Sequence, residues 1–436
     1  MKMRTDLFVL SMVVTALATS TSAGAADLQE TFRLALTRDQ VYLGALASHD
    51  ASQELIPQAR AQLLPSASFS ASRMQNKLDK NEGGGALPTQ QYNSNNRIVA
   101  VRQPVWRPIA RAQLEQAKSQ TRGANYDLLR AQNELALRTA TVYMDALYAE
   151  DQRKVAQTQV QQLRAQLEAA TLAFRQGYGT RIDIDEFYAR LGQAEADVMQ
   201  HQSSRAYALE QLSLFAGVSQ TLPLAQTPTA LAQLPNLPHW LDLALQDNPD
   251  TNLGRMKVEA AQQEVRKVKA GHQPTLDVVA QISNSSNENI QFPAVSHVNR
   301  QIGLQLNLPL FSGGATQSSV RQALSQAQRE EHLLNSTLAN TRLQITREFA
   351  NVGDGRERIN ANLNAHRAAQ QTLVAMEKSL QAGYRTRLDV LNAIQRVAAT
   401  QKDLLLVQYQ TLIAWLKLQL QSGVPAEKAM ASLVME

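Results

Sequence analysis

Two stretches repeat one pattern of charged and turn-forming residues: "RQGYGTRIDIDEF" at 175–187 and "QAGYRTRLDVLNA" at 381–393. Both write Gly-Tyr-x-Thr-Arg-x-Asp. Arg181 and Asp183 in the first, with Arg385, Arg387 and Asp389 in the second, are of the types that form ion pairs. Thr180 with Asp183, and Thr386 with Asp389, stand at the spacing of a capping box, which opens a helix. Gly177 and Gly383 suit the left-handed residue that closes one. The spacing predicts one turn used twice, between a helix that stops and a helix that starts. Two readings follow. Capping alone accounts for the motif, or the charges beyond capping ring a narrow opening once copies assemble and hold it shut through ion pairs.

Catalytic and metal chemistry find no such concentration. The seven histidines (His49, His201, His239, His272, His297, His332, His366) are scattered singly, without metal-ligand spacing. Cysteine is absent, so disulfides and an acylated N-terminal cysteine are excluded. No G-x-S-x-G or H-E-x-x-H occurs. "LFSGGATQSS" has a Gly-rich turn but no following G-K-[ST]. Carboxylate pairs such as Glu330–Glu331 read as solvated helix faces. No enzyme, metal or cofactor is expected. The net charge of +5 is spread among interspersed acids and bases, with no basic block of the kind that binds nucleic acid.

What positions the doubled motif is a doubled chain. Gly177 and Gly383 lie 206 positions apart, far beyond the ~20–50-residue period of a solenoid repeat. Other landmarks recur in the same order. "ARAQLLPSASFSASR" at 59–73 answers "VKAGHQPTLDVVAQIS" at 268–283, and "NRIVAVRQPVW" answers "NRQIGLQLNLPLF". Each half reads helix, strand, loop, strand, long helix, turn, helix. In the second half Ile302, Leu304, Leu306 and Leu308 alternate with Gln301, Gly303, Gln305 and Asn307, which predicts a strand with one apolar and one polar face. Strands of about ten residues suit a tilted crossing of a membrane. Pro65 and Pro274 start the hairpins, and Pro104 and Pro309 leave them. Trp106 and Phe311 follow the exits, as membrane-interface rings or as core.

Four strands cannot close a barrel, so insertion requires assembly; three copies supply 12. The intervals 108–176 and 314–382, Pro-poor and rich in Ala, Gln and Leu, predict helices ~100 Å long. Segments 28–64, 183–216, 239–271 and 388–422 are about half as long, so two placed end to end match one long helix. Gly353 and Gly355 predict a kink or break in the second long helix.

The fold class expected is therefore α+β: a long antiparallel α-helical barrel joined to a transmembrane β-barrel, with internal duplication. The domain reading is a signal peptide at 1–26; a first repeat at 27–217, with hairpin 65–105 and tip 177–183; a linker at 218–238; a second repeat at 239–423, with hairpin 274–310 and tip 383–389; and a tail at 424–436. The linker and tail would form a girdle at mid-height. The leader reading rests on a charged start, the apolar run 7–18 and small residues at 23–26; an uncleaved anchor is the alternative.

With these residues in view the chain resembles the TolC family of outer-membrane export channels, through "LLPSASFSAS", "LNLPLFSGGATQSSVRQA" and "AGYRTRLDVLNA". The resemblance covers nearly the whole chain after residue 27. It implies a homotrimer in the lipid of a Gram-negative outer membrane, with a helical tunnel through the periplasm. A periplasmic adaptor would join it to an inner-membrane transporter. The implied gate bonds run from Arg385 and from Asp183 on the other coil. Their family partners fall here on Ile182 and Leu380, which cannot make them, so Arg181 or Arg387 facing an aspartate becomes the substitute. The paired entrance aspartates fall on Asp389 and Asn392, leaving one ring of charge and a weaker block to cations. Type I protein secretion with an ABC transporter is the favoured route, because the tips resemble those members. The alternatives are the duct of a proton-driven drug or metal efflux pump and, more remotely, a periplasmic coiled-coil scaffold.

Overall fold

The computed structural model describes residues 27–79, 81–82, 85–86, 89–217, 234–289 and 292–433. The expected leader at 1–26, most of the linker at 218–238 and the last residues of the tail lie outside them.

The N-terminal segment is α1 (Leu28–Arg38), α2 (Gln40–Gln53) and α3 (Leu55–Ala61). A hairpin follows, β1 (Ser66–Leu78) and β4 (Gln90–Trp106), with a small ladder of β2 (Asn81–Glu82) and β3 (Gly85–Ala86) between them. Then come α4 (Pro108–Arg175) and α5 (Arg181–Ala216). The second half runs α6 (Leu237–Asp247), α7 (Pro249–Lys269), β5 (Thr275–Asn289), β6 (Phe292–Asn307), α8 (Ala315–Gln381), α9 (Arg387–Gln421) and α10 (Ala426–Ala431). At 1.5 Å per residue, α4 with 68 residues and α8 with 67 are each ~100 Å long. Among the described residues no helix is long and apolar enough to cross a membrane.

Two expected helices are interrupted. The segment 28–64 breaks at Asp39, which has ψ 118°, and again at Glu54. Asp39 is buried: it accepts a hydrogen bond from the Tyr42 amide at 2.8 Å, capping α2, and binds Arg138 of α4 at 2.7 Å. An ion pair to the neighbouring helix thus outcompetes helix continuity. The segment 239–271 breaks at Asn248, whose successor Pro249 disfavours the helical region for the residue before it. Asn248 caps Thr251 at 2.9 Å and donates its side-chain amide to Gln421 O at 2.7 Å, at the end of α9.

Of the kink or break expected at Gly353 and Gly355, the break does not occur; α8 runs unbroken through both. Gly355 is buried against α9, where a β-carbon would come within 2.7 Å of Thr411 Cγ2 and overlap its hydroxyl. The glycine serves close helix packing, which outweighs its ~1 kcal/mol propensity cost.

The hairpins form one four-stranded antiparallel sheet in the order β1-β4-β5-β6. The strands are 13, 17, 15 and 16 residues long, not about ten. Segment 90–96 is strand although it has no apolar alternation, because backbone pairing continues where both faces have turned polar. Pro104 lies inside β4 rather than after it, beside a register shift between Pro104 and Trp106; a residue without an N–H is tolerated there.

Register sorts the faces. Facing residues share a side, so Phe69, Val99 and Ile282 line up, as do Ala67, Val101, Ala280 and Ile302, then Val278 with Leu304 and Leu276 with Leu306. Ser66, Ser68, Ser70 and Ser72 occupy the other face with Arg102, Asp277, Gln281, Gln301 and Gln305. The apolar side chains are bare: Ile302 is 79% and Leu304 72% exposed.

The helices gather in two main cores. At mid-height Leu28, Phe32, Tyr143, Leu212, Trp240, Trp415 and Met430 bring α1, α4, α5, α6, α9 and α10 together. Trp240 and Trp415 meet edge to face at 5.7 Å, and Trp415 Nε1 donates to Ser432 at 3.2 Å, fastening the C-terminal segment. Toward the tips Leu163, Phe187, Leu191, Val390, Leu391 and Ile394 join α4, α5 and α9. Along α4 alanine is the commonest buried residue, at Ala110, Ala117, Ala136, Ala140, Ala156 and Ala170 among others, and it lets helices lie close.

Candidate functional site

Both tips are built by the same local chemistry. α4 ends at Gly177, with φ +82°, and α8 at Gly383, with φ +81°. Tyr178 N donates to Ala173 O at 2.9 Å and Gly177 N to Phe174 O at 3.0 Å; Tyr384 N donates to Ser379 O at 2.9 Å and Gly383 N to Leu380 O at 3.0 Å. These paired bonds are the Schellman closure of a helix. The next helices open through complete capping boxes. Asp183 N donates to Thr180 Oγ1 and Thr180 N to Asp183 Oδ2, both at 3.2 Å. Asp389 N donates to Thr386 Oγ1 at 3.3 Å and Thr386 N to Asp389 Oδ2 at 2.9 Å.

The tip charges are solvent-facing. Arg181 pairs with Asp185 on its own helix at 3.2 Å. The Asp389 carboxyl is held below its usual range, first by the Thr386 amide, then by the Thr386 hydroxyl and by the charge of Arg385. Among the described residues, no ion pair joins Arg387 to a carboxylate, and none links one tip to the other. Tyr178 and Tyr384 project at 88% and 86% exposure, and Ile182 at 78%.

Above the tips lie cross-links that sequence reasoning missed. Lys402 of α9 binds Asp197 of α5 at 3.2 Å, Arg164 of α4 binds Glu195 of α5 at 2.6 Å, and Tyr409 of α9 donates to Asp151 of α4 at 2.8 Å. Burial, with Asp151 beside it, pushes the Tyr409 hydroxyl far above its ordinary value. Lone charges on long helices give no periodic signal, and their partners lie as far as 258 residues away.

The opposite end of the tunnel carries the other candidate residues. Pro65 precedes β1, Pro274 precedes β5, and Pro309 follows β6. Asp277 of β5 is buried and receives Arg107 in a two-pronged bond, Nε to Oδ1 at 3.0 Å and Nη2 to Oδ2 at 2.9 Å. Arg102 stands at 3.6 Å from the same carboxylate. Arg107 is the residue just before α4, so this pair fastens sheet to tunnel. Trp106 stacks under Arg111 at 4.6 Å and is 43% exposed, while Phe311 is 89% exposed; neither ring belongs to a core.

The family model described as outer membrane efflux protein matches residues 32–218 and again 240–424, one match per half. Two relatives carry secretion names. The alkaline protease secretion protein AprF of Pseudomonas aeruginosa is 28% identical over 92% of this chain and 85% of its own. The proteases secretion protein PrtF of Dickeya chrysanthemi is 28% identical over 94% of this chain and 91% of its own. The outer membrane protein VceC of Vibrio cholerae shares the fold, with a TM-score of 0.77 at 20% identity over 91% of this chain and 96% of that one. With both halves matched and a fold shared along its length, the chain belongs to the outer membrane efflux protein family, the channel family its hairpin and tip motifs resemble, and is a protein of the outer membrane.

Proposed function

We propose that three copies form one duct through outer membrane and periplasm, serving type I secretion of proteins. The observation that carries the reading is a four-stranded sheet with bare apolar residues on one face and two open edges, β1 and β6. In lipid each unpaired backbone group costs several kcal/mol, so such a sheet must close. Joining β6 of one copy to β1 of the next pairs both edges, and three copies give 12 antiparallel strands, an even number as such barrels use. The helical hairpins α4–α5 and α8–α9 then continue the wall for ~100 Å. Segments 27–217 and 239–423 are the two repeats, and α10, packed on the mid-height core, belongs to the girdle at the equator.

The family is one of transport, and the names of AprF and PrtF favour protein cargo. An ABC transporter with a periplasmic adaptor is the inner-membrane partner we assign. At the far end Arg181, Asp183, Arg385, Arg387 and Asp389 form the gate, closing it through pairs between copies; Arg387 has a full charge to contribute. Tyr178 and Tyr384 face the adaptor.

A photo-crosslinker in place of Tyr178 or Tyr384, activated in living cells, tests the route. Capture of an adaptor that co-purifies with an ABC ATPase is expected. Co-purification with a proton-driven pump would replace secretion by efflux. Trapping only soluble proteins without an adaptor would sink the placement of the tips.

A further inference from the structure

The sheet's apolar face does not end at random. Three of its four strands place an arginine on that face at nearly the same distance from the tunnel. Arg73 is eight residues beyond Pro65, Arg97 nine before Trp106, and Arg300 nine before Pro309. Register puts all three on the side of Phe69, Val99 and Ile302: Arg97 faces Ala71, Arg300 faces Ile282, and Arg73 lies two residues past Ala71. At ~3.4 Å per residue and ~40° of tilt, each sits about 21–23 Å above the joint, near the far edge of a band ~25 Å tall. The next residues on this face are polar in three strands, Gln75, Asn95 and Asn284, while β6 carries Val298 before Ser296. Helices leave the sheet at its other end, so this edge is the outward one.

All three arginines are exposed, and among the described residues none has a carboxylate partner. The only carboxylate among the described strand side chains of 66–78, 91–106, 275–286 and 296–307 is Asp277, which lies on the polar face and is taken by Arg107. Arginine on a lipid-facing wall costs ~2–4 kcal/mol at mid-membrane and ~0–1 near an interface, so its height is permitted but not explained. A guanidinium fork matches phosphate oxygens two at a time.

Resting on the reading of this face as the membrane wall, we infer that Arg73, Arg97 and Arg300 form a belt that binds the phosphate groups of a phosphorylated glycolipid in the outer leaflet. Lys77, further out on the same face, extends it toward the sugar layer.

The test uses purified, delipidated full-length protein in detergent. The probes are a bisphosphorylated diglucosamine glycolipid, the same lipid stripped of both phosphates, and inorganic phosphate. Lipid retained per assembly, by native mass spectrometry, and the temperature at which the assembly dissociates on a gel are read. The wild type is expected to retain the bisphosphorylated lipid and gain several degrees from it alone. Replacing all three arginines (R73Q, R97Q and R300Q together) should weaken retention at least about tenfold, while the triple lysine variant keeps most of it. Should the triple glutamine variant not assemble, the three single variants carry the comparison, each losing about two- to fivefold. Equal retention of the stripped lipid, or undiminished retention by the glutamine variants, overturns the proposal, as does stabilisation by inorganic phosphate alone. Failure of the wild type to form a heat-dissociable assembly would instead count against the channel reading.

Discussion

Asp389 does two jobs with one carboxylate: it completes the capping box of α9 and supplies the negative charge of its tip. Because its folded pKa lies below the ordinary value near 4, its contribution is fully present above that value and is lost as pH falls through the lowered one. Single-channel conductance of reconstituted protein should therefore stay flat between pH 5 and pH 8 and rise only below about pH 4. The D389A variant, which loses cap and charge together, should show the raised conductance already at pH 7 and no acid step. A D389A channel indistinguishable from wild type would remove Asp389 from the gate. Reversing Arg387 to Glu tests the other sign: if it pairs between copies, conductance rises at neutral pH and falls back as salt screens the new repulsion. The capping residues were readable because the motif is local, with every partner within six residues. The charge partners were not, since an arginine on an exposed helix end carries no mark of what it will face.

At the scale of elements, close approach between helices is the deciding quantity. Gly355→Ala should lower thermal stability by about 1–3 kcal/mol, as the added methyl drives α8 off Thr411. Gly353→Ala, with open space around the site, should raise it by up to ~1 kcal/mol through helix propensity. The pairing of Gly355→Ala with Thr411→Ala should recover most of the loss, and the heat-dissociation temperature of the four proteins checks all three statements. The joint of sheet and tunnel supplies a second test. Asp277→Asn leaves the Arg107 guanidinium without its counter-charge in a largely buried place, at a cost of about 3 kcal/mol; equal stability of D277N and wild type would deny the pair its anchoring role. Periodicity and prolines revealed the hairpins and both long helices. The break at Asn248 was written locally, in Pro249, whereas the break at Asp39 depended on Arg138, distant in sequence.

For the whole molecule, the duplicated order of parts states that two halves build one object, and the open sheet edges state that one chain is not the finished object. Outer-membrane fractions run unheated on a denaturing gel should show a band near three times the chain's 48.1 kDa, collapsing to one chain on boiling. Persistence as a monomer without heat would contradict closure between copies.

By itself the sequence determined what local spacing can encode: the doubled turn with its glycines and capping boxes, the lengths of the long helices, the alternating faces of β6 and the absence of disulfides. These need only neighbours within a few residues, whose geometry is set by the period of helix or strand. Tertiary structure alone decided the rest. It placed Gly355 against Thr411, Asp277 against Arg107, Asp39 against Arg138, and three arginines from separate strands on successive rungs of one face. Each depends on close packing or on register between segments far apart in the chain, and neither is written in the order of residues along either segment alone.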